Sequence, residues 1–437
     1  RLLLTFKIMS SNAKSKLQEI TSLIKEGAID EALKKLELIL ENDPNNTDAL
    51  CLAGSAYIRS GNEEKGFKSF EAAITSNPNS FSAHADLAFV AMKCDQIKRA
   101  ITHFTKAIEL KPKFYPAWGF LEKLHFQEKN YDKATHAAQQ VEAFDPLDTE
   151  YKEMQNAFAS KMHGKAEQIA RAMIERHPGH PRAVFMLAHL GTALGAHEES
   201  IKILKYGIEY HPANTILRKA LIQSLERIGA YVPAVIEAKT LCEINSDYRH
   251  WILLSKVHGH TGAYKDALYA AEEAAKLVNL SSGELGKVDL LRGHALKVLG
   301  RREQSEKAYR ECIVNTPGNG AGWWGLADFK NYKFSEEDKK SMQLIADKDD
   351  GDPAQRCQAA FALAKAHELS GDNKIAFDWY KRANDLRPNI QFNADNHDDF
   401  CQKIINGFHN EMLKHQGKKQ KKEATPIFIV GMPRSGS

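Results

Sequence analysis

Disulfide and zinc frameworks are missing from this chain of 437 residues: its six cysteines (Cys51, Cys94, Cys242, Cys312, Cys357, Cys401) lie far apart, with no Cys-x-x-Cys pair and no Cys/His cluster at zinc spacing. That usage suits a reducing compartment, so a cytoplasmic location is expected. No apolar run reaches the roughly 18 residues that a membrane span needs, so the chain is expected to be soluble. Nor does one sign of charge dominate. Sixty Lys plus Arg face 56 Asp plus Glu, a formal +4, with 43% hydrophobic and 27% charged residues. This balance excludes a strongly basic nucleic-acid binder, an acidic disordered chain and a collagen-like composition.

Prolines are few but regular. Pro44, Pro78, Pro112 and Pro146 are separated by 34 residues, and Pro178 and Pro212 follow at 32 and 34. A fixed period in this range marks stacked supersecondary units and overrides the division into globular domains of about 150 residues that length alone would suggest. Between prolines a second pattern recurs. One unit reads Ala53, Gly54, Tyr57, Gly61, Gly66, Phe70, Ala73, Pro78; the next reads Leu87, Ala88, Ala91, Ala100, Phe104, Ala107, Pro112. Apolar residues at i, i+3, i+4 and i+7 in two segments of about a dozen residues make each unit a helical hairpin. Small residues (Gly54, Ala88, Ala188, Gly293, Ala364) are placed where two helices approach closely. Bulky ones (Phe70, Phe104, Leu204, Tyr309, Tyr380) fill the space opposite. Proline then ends the second helix, with Ser246 and Asn279 in its place twice.

On these residues the sequence resembles the tetratricopeptide repeat (TPR). The resemblance implies an all-α, right-handed superhelix of about ten to eleven hairpins, with a protein or peptide partner in its concave groove. The expected organisation has residues 1–12 as an N-terminal extension, Met9 being a candidate start, and an array over 13–319 of about nine units. A degenerate repeat follows over 320–355, where Ser335 caps a second helix with Glu336, Glu337 and Asp338 in its first turn. A last repeat over 356–390 and a helix with a Lys-rich linker over 391–424 come next.

Several motifs have ordinary readings. Asp347, Asp349, Asp350 and Asp352 surround Gly351, but Ala346, Lys348 and Cys357 occupy positions where a calcium loop needs oxygen ligands. His177 and His180 flank a Pro-Gly turn, and His258 and His260 fall on different helix faces; no metal site is expected. Trp118, Trp251, Trp323 and Tyr57 stand at packing positions. Lys418, Lys419, Lys421 and Lys422 form a solvated connector, without the interleaved aromatics of a nucleic-acid surface.

The closing segment, Thr425 to Ser437, reads TPIFIVGMPRSGS. Ile427 to Val430 form a short apolar run suited to a parallel strand buried on both faces. Gly431 and Gly436 have the spacing of a phosphate-binding loop, although Ser437 stands where a nucleotide triphosphatase has lysine. Backbone N–H groups, an Arg434 fork and the Ser435 and Ser437 hydroxyls would converge on an anion. A tight turn with no ligand fits the same spacing. The string PIFIVGMPRSGS is similar to the start of a sulfotransferase domain. The order of repeats, the segment WWGLADFKNYKFSEED, a last repeat and this loop resembles the TPR sulfotransferases. That resemblance implies a donor site for 3′-phosphoadenosine 5′-phosphosulfate at Gly431, Pro433, Arg434, Ser435, Gly436 and Ser437, no metal, and a catalytic base beyond Ser437. The 437 residues alone are then expected to be inactive. Two functions stay open: the front part of a sulfotransferase with an unspecified acceptor, or a non-catalytic scaffold for peptide or protein partners.

Overall fold

The computed structural model describes residues 11–277, 283–387 and 394–407. Among them are 23 α-helices and no strand. The chain divides into two compact units, 1–335 and 336–437. In the first unit the helices alternate in hairpins: α1 (Ser11–Glu26), α2 (Ile29–Asn42), α3 (Thr47–Arg59), α4 (Glu63–Ser76), α5 (Phe81–Lys93), α6 (Ile97–Leu110), α7 (Tyr115–Gln127) and α8 (Tyr131–Ala143). It continues with α9 (Asp148–Ala159), α10 (His163–Arg176), α11 (Pro181–Ala193), α12 (His197–Tyr210), α13 (Thr215–Arg227), α14 (Tyr231–Ile244), α15 (Tyr248–His260) and α16 (Tyr264–Leu277). It ends with α17 (Glu284–Val298), α18 (Arg302–Asn315) and the short α19 (Gly320–Ala327). The second unit holds α20 (Glu336–Asp347), α21 (Pro353–Leu369), α22 (Asn373–Asp385) and α23 (Ala394–Gly407). Its core gathers Ala346, Ala359, Ala360 and Ala383.

Local sequence starts and stops these helices. The Asn46 side chain accepts from the Ala49 N–H, Ser80 from Ala83, Asn130 from Lys133 and Asp352 from Ala354 and Gln355, each satisfying donors that a first turn leaves orphaned. Inside each hairpin the chain reverses through one left-handed residue. Gly61 (φ 83°) serves between α3 and α4, as glycine should. The next three hairpins put Asp95 (φ 57°), Lys129 (φ 56°) and Lys161 (φ 59°) in that conformation. The period therefore fixes the backbone geometry even where glycine is absent, at a cost of roughly 1–2 kcal/mol per residue.

The small-large pairs pack as the spacing predicts. Phe70, Phe104, Leu204 and Tyr309 are all fully or almost fully buried. A Cβ on Gly54 would lie 2.8 Å from the Phe70 ring, and one on Gly293 would lie 2.6 Å from Tyr309. Trp118 and Trp323 are buried, and the Trp118 indole donates to the Pro112 carbonyl at 2.8 Å. Tyr380 is only half-buried, its hydroxyl turned out to Glu368 at 2.5 Å. The fourth hairpin inverts the pair. Glu122 occupies the slot that holds Gly54 and Ala88 elsewhere, and Ala138 replaces the phenylalanine opposite. Glu122 is 0% exposed.

Candidate functional site

The inversion at Glu122 and Ala138 coincides with a change of direction in the stack. Even-numbered helices elsewhere in the first unit stack on the odd helix that follows, whereas α8 packs chiefly on α7 and on α14. With small side chains at Ala134 and Ala138, the face of α8 receives Ala213 from a turn and Ile244 from the end of α14, both far along the chain. Polar groups seal this joint. Glu122 accepts from His211 Nδ1 at 2.8 Å and from the Ala213 N–H at 3.0 Å. The Tyr131 hydroxyl donates to Glu243 at 3.2 Å. Arg218, beside Phe126, donates from Nε to the Pro212 carbonyl at 2.9 Å and pairs with Glu237. Burial lowers the Arg218 pKa from its usual range, against the pull of Glu237.

A second knot lies where α8 passes to α9. Asp145 accepts from His180 Nε2 at 2.9 Å, from the Leu147 N–H at 2.8 Å and from Arg182 at 3.1 Å. Burial alone would raise its pKa, but the hydrogen bonds from His180 and Leu147 and the nearby positive charge outweigh it and hold the carboxyl below the ordinary range.

These two knots frame a cleft of about 600 Å³. Its floor is apolar, with Met92, Ile97, Phe120 and Leu124; its rim carries Lys93, Lys123, Asp95, His177 and Tyr210. The volume falls in the range typical of ligand sites. Tyr115 stands edge-on to His177, with ring centroids 5.4 Å apart. Burial raises the Tyr115 phenol above its ordinary pKa and lowers the His177 imidazole, which also feels His180. Both groups are therefore neutral donors or acceptors near pH 7. His211 forms part of the wall. Glu122 fixes its Nδ1 as a donor, and Nε2 has no protein partner.

A smaller cleft of about 300 Å³ adjoins it along α3 and α5, lined by Ser55, Ile58, Arg59, Asp86, Phe89, Val90 and Lys93. Lys93 lines both clefts. Asp86 is 8% exposed and makes no hydrogen bond or ion pair, and its burial raises its pKa to about 7. The folded protein thus holds this proton more tightly than the unfolded chain between about pH 4 and 7. The position costs stability progressively as pH rises through that window and fully above it. Asp86→Asn should raise stability at pH 8 by roughly 1–3 kcal/mol and leave it nearly unchanged at pH 4. Urea unfolding at the two pH values checks this, and equal effects at both would refute it.

The residues singled out for a donor phosphate, Gly431, Pro433, Arg434, Ser435, Gly436 and Ser437, lie outside the described residues, as do Asn279 and the lysines at 418–422. The histidines of the Pro-Gly turn separate in role: His177 faces the cleft and His180 caps α11. Among the described residues no group of three or more His, Cys, Asp or Glu could hold a metal ion. Sequence reasoning passed over Tyr115, Lys123, Tyr210 and His211. The one local signal was Glu122, a charged residue in a slot made for glycine or alanine.

With this geometry in view, residues 47–80 and 81–114 each match the tetratricopeptide repeat, and the described chain is an all-α, TPR-like helical solenoid. A curated relative from Aquifex aeolicus, described as an uncharacterized protein, is 24% identical over 197 residues, 45% of this chain and 25% of its own length. The chain thus spans about a quarter of that relative. Among solved structures, a MamA fragment (41-end) from Desulfovibrio magneticus is 11% identical (TM-score 0.35), covering 40% of this chain and 96% of its own. A tetratricopeptide repeat protein from Parabacteroides merdae is 15% identical (TM-score 0.31), covering 66% of this chain and 100% of its own.

Proposed function

We propose that the repeat array is a scaffold that holds an extended segment of a partner protein along the face formed by α3, α5 and α7. The observation that carries this reading is the pair of adjoining clefts sharing Lys93, which together form a track rather than a closed pocket. Stacked helical hairpins provide such tracks because each unit contributes one strip of surface. A photo-reactive phenylalanine placed at Ser55 or Tyr210, in cells making the full-length gene product, should form adducts with a partner protein. The same group at Leu38, which is 61% exposed on α2, should not. Adducts from Leu38 alone would refute the scaffold.

A second reading concerns the parent protein and rests on one sequence feature, the segment Ile427 to Ser437. Its resemblance to a sulfotransferase donor loop supports an enzyme that moves a sulfuryl group from 3′-phosphoadenosine 5′-phosphosulfate to an acceptor, with the array holding that acceptor or a partner. Arg434 would pair with the donor's 5′-phosphate while Ser435 and Ser437 donate hydroxyl hydrogen bonds. Calorimetry on the full-length gene product should show donor binding that Arg434→Ala weakens about tenfold or more; no binding, or binding indifferent to Arg434, would remove the reading. We also place the protein in the cytoplasm. Its six cysteines are all free thiols, as a reducing compartment would keep them.

A further inference from the structure

The groups that line the track are unequal in sign. Arg59 and Lys93 line it and, together with Lys25, which lies outside both clefts, recur every 34 residues, each in the last turn of its helix, α1, α3 and α5. All three are exposed. Arg59 uses one guanidinium nitrogen to donate to the Ile24 carbonyl at 2.8 Å, so its fork is already anchored. Lys123 adds a fourth cation at the far cleft, where Tyr115, Tyr210 and His177 bring further polar tips. Against these stand Asp95 at the rim and the buried Asp86. Helices packed side by side lie about 8–10 Å apart, and an extended peptide rises about 3.3 Å per residue. Because α1 packs on α3 and α3 on α5, one carboxylate on every third peptide residue keeps step with the cation on each of these helices.

We infer that the track takes an extended acidic segment of a partner protein. Its carboxylates meet Arg59, Lys93 and Lys123, and an aromatic or aliphatic side chain enters the larger cleft over Phe120 and Leu124. This rests on the scaffold reading and specifies its partner. The apolar floor is what anchors such a segment, since a large side chain seated there leaves water. The cation row sets its register and its sign. His211, whose Nδ1 is held by Glu122, adds a polar group to the cleft wall.

The test uses the full chain and a short fluorescent peptide with glutamate at every third position and one central phenylalanine, followed by anisotropy. Two control peptides replace the glutamates by lysine or the phenylalanine by alanine. The acidic peptide should bind saturably, at least about tenfold tighter than either control, a difference worth about 1.4 kcal/mol. Lys93→Glu with Lys123→Glu should weaken it about tenfold or more. Both side chains are exposed, so the fold should be retained, and Lys98→Glu on α6, outside both clefts, should have no effect. Saturable binding of the lysine peptide at equal strength, indifference to the charge reversals, or no binding of the acidic peptide would overturn the inference. Those outcomes leave the scaffold reading standing if cross-links from Ser55 and Tyr210 still form, whereas loss of the cross-links removes both.

Discussion

Glu122→Ala is expected to destabilise the first unit by about 3–5 kcal/mol, the usual effect of removing one partner from a buried, hydrogen-bonded pair. The substitution strands two donors, His211 Nδ1–H and the Ala213 N–H, in a site where the carboxylate is 0% exposed and water has little access. Glu122→Gln should cost less, because its amide oxygen still accepts one of the two bonds. Repeat arrays need not unfold in one step, so the measurement should have local resolution. Hydrogen exchange should lose protection at Ala213 and in the first turn of α13 before it falls in α1 to α4. A loss below about 1 kcal/mol, or protection that falls evenly along the array, would contradict the role given to this joint.

The second large effect concerns Tyr309. Its ring is fully buried between two glycines: a Cβ on Gly293 would lie 2.6 Å from it and one on Gly325 2.4 Å. Its hydroxyl shares a hydrogen bond with His294 Nδ1 at 2.8 Å. Two opposing magnitudes decide the outcome at Gly293. Alanine gains about 1 kcal/mol over glycine in a helix interior, but overpacking a close contact costs about 1–3 kcal/mol. Gly293→Ala should therefore destabilise modestly, and Gly325→Val, with a larger and branched side chain, by about 3 kcal/mol or more. Tyr309→Ala should cost about 3–5 kcal/mol through the cavity it leaves. The discriminating experiment is a double-mutant cycle. Gly293→Ala should become neutral or stabilising once Tyr309→Leu has made room, a coupling of at least about 1 kcal/mol. Additive effects would show that the ring and the glycine do not meet.

Much of this architecture is legible in the residues, because it is periodic. The spacing of Pro44, Pro78 and Pro112, with Gly54 opposite Phe70 and Ala88 opposite Phe104, specifies hairpins whose interior contacts are local. Local pattern is also why a degenerate unit still announced its second helix at Glu336, through an acidic first turn. The left-handed Lys129 was readable only by counting, since nothing in a lysine favours that conformation. The cleft was not readable at all. Tyr115 and His211 line one cleft because α8 turns its small face toward the 211–214 turn, and no spacing rule carries information across some ninety residues. Glu122 was the one visible symptom, a charge in a position reserved for small side chains. The donor-loop residues, Arg434 among them, lie outside the described residues, so their reading stands on sequence resemblance.

In a plain tandem array each module touches only its neighbours, and evolution can lengthen or shorten it by whole modules without penalty. The clasp between Glu122 and the turn at His211 removes that freedom for the interval it spans. Duplicating or deleting one 34-residue module between α8 and α13 would carry His211 and Ala213 away from their acceptor and empty the wall of the larger cleft. Modules should be gained and lost at the ends of this protein, and the segment from Tyr131 to Asn214 should keep its length.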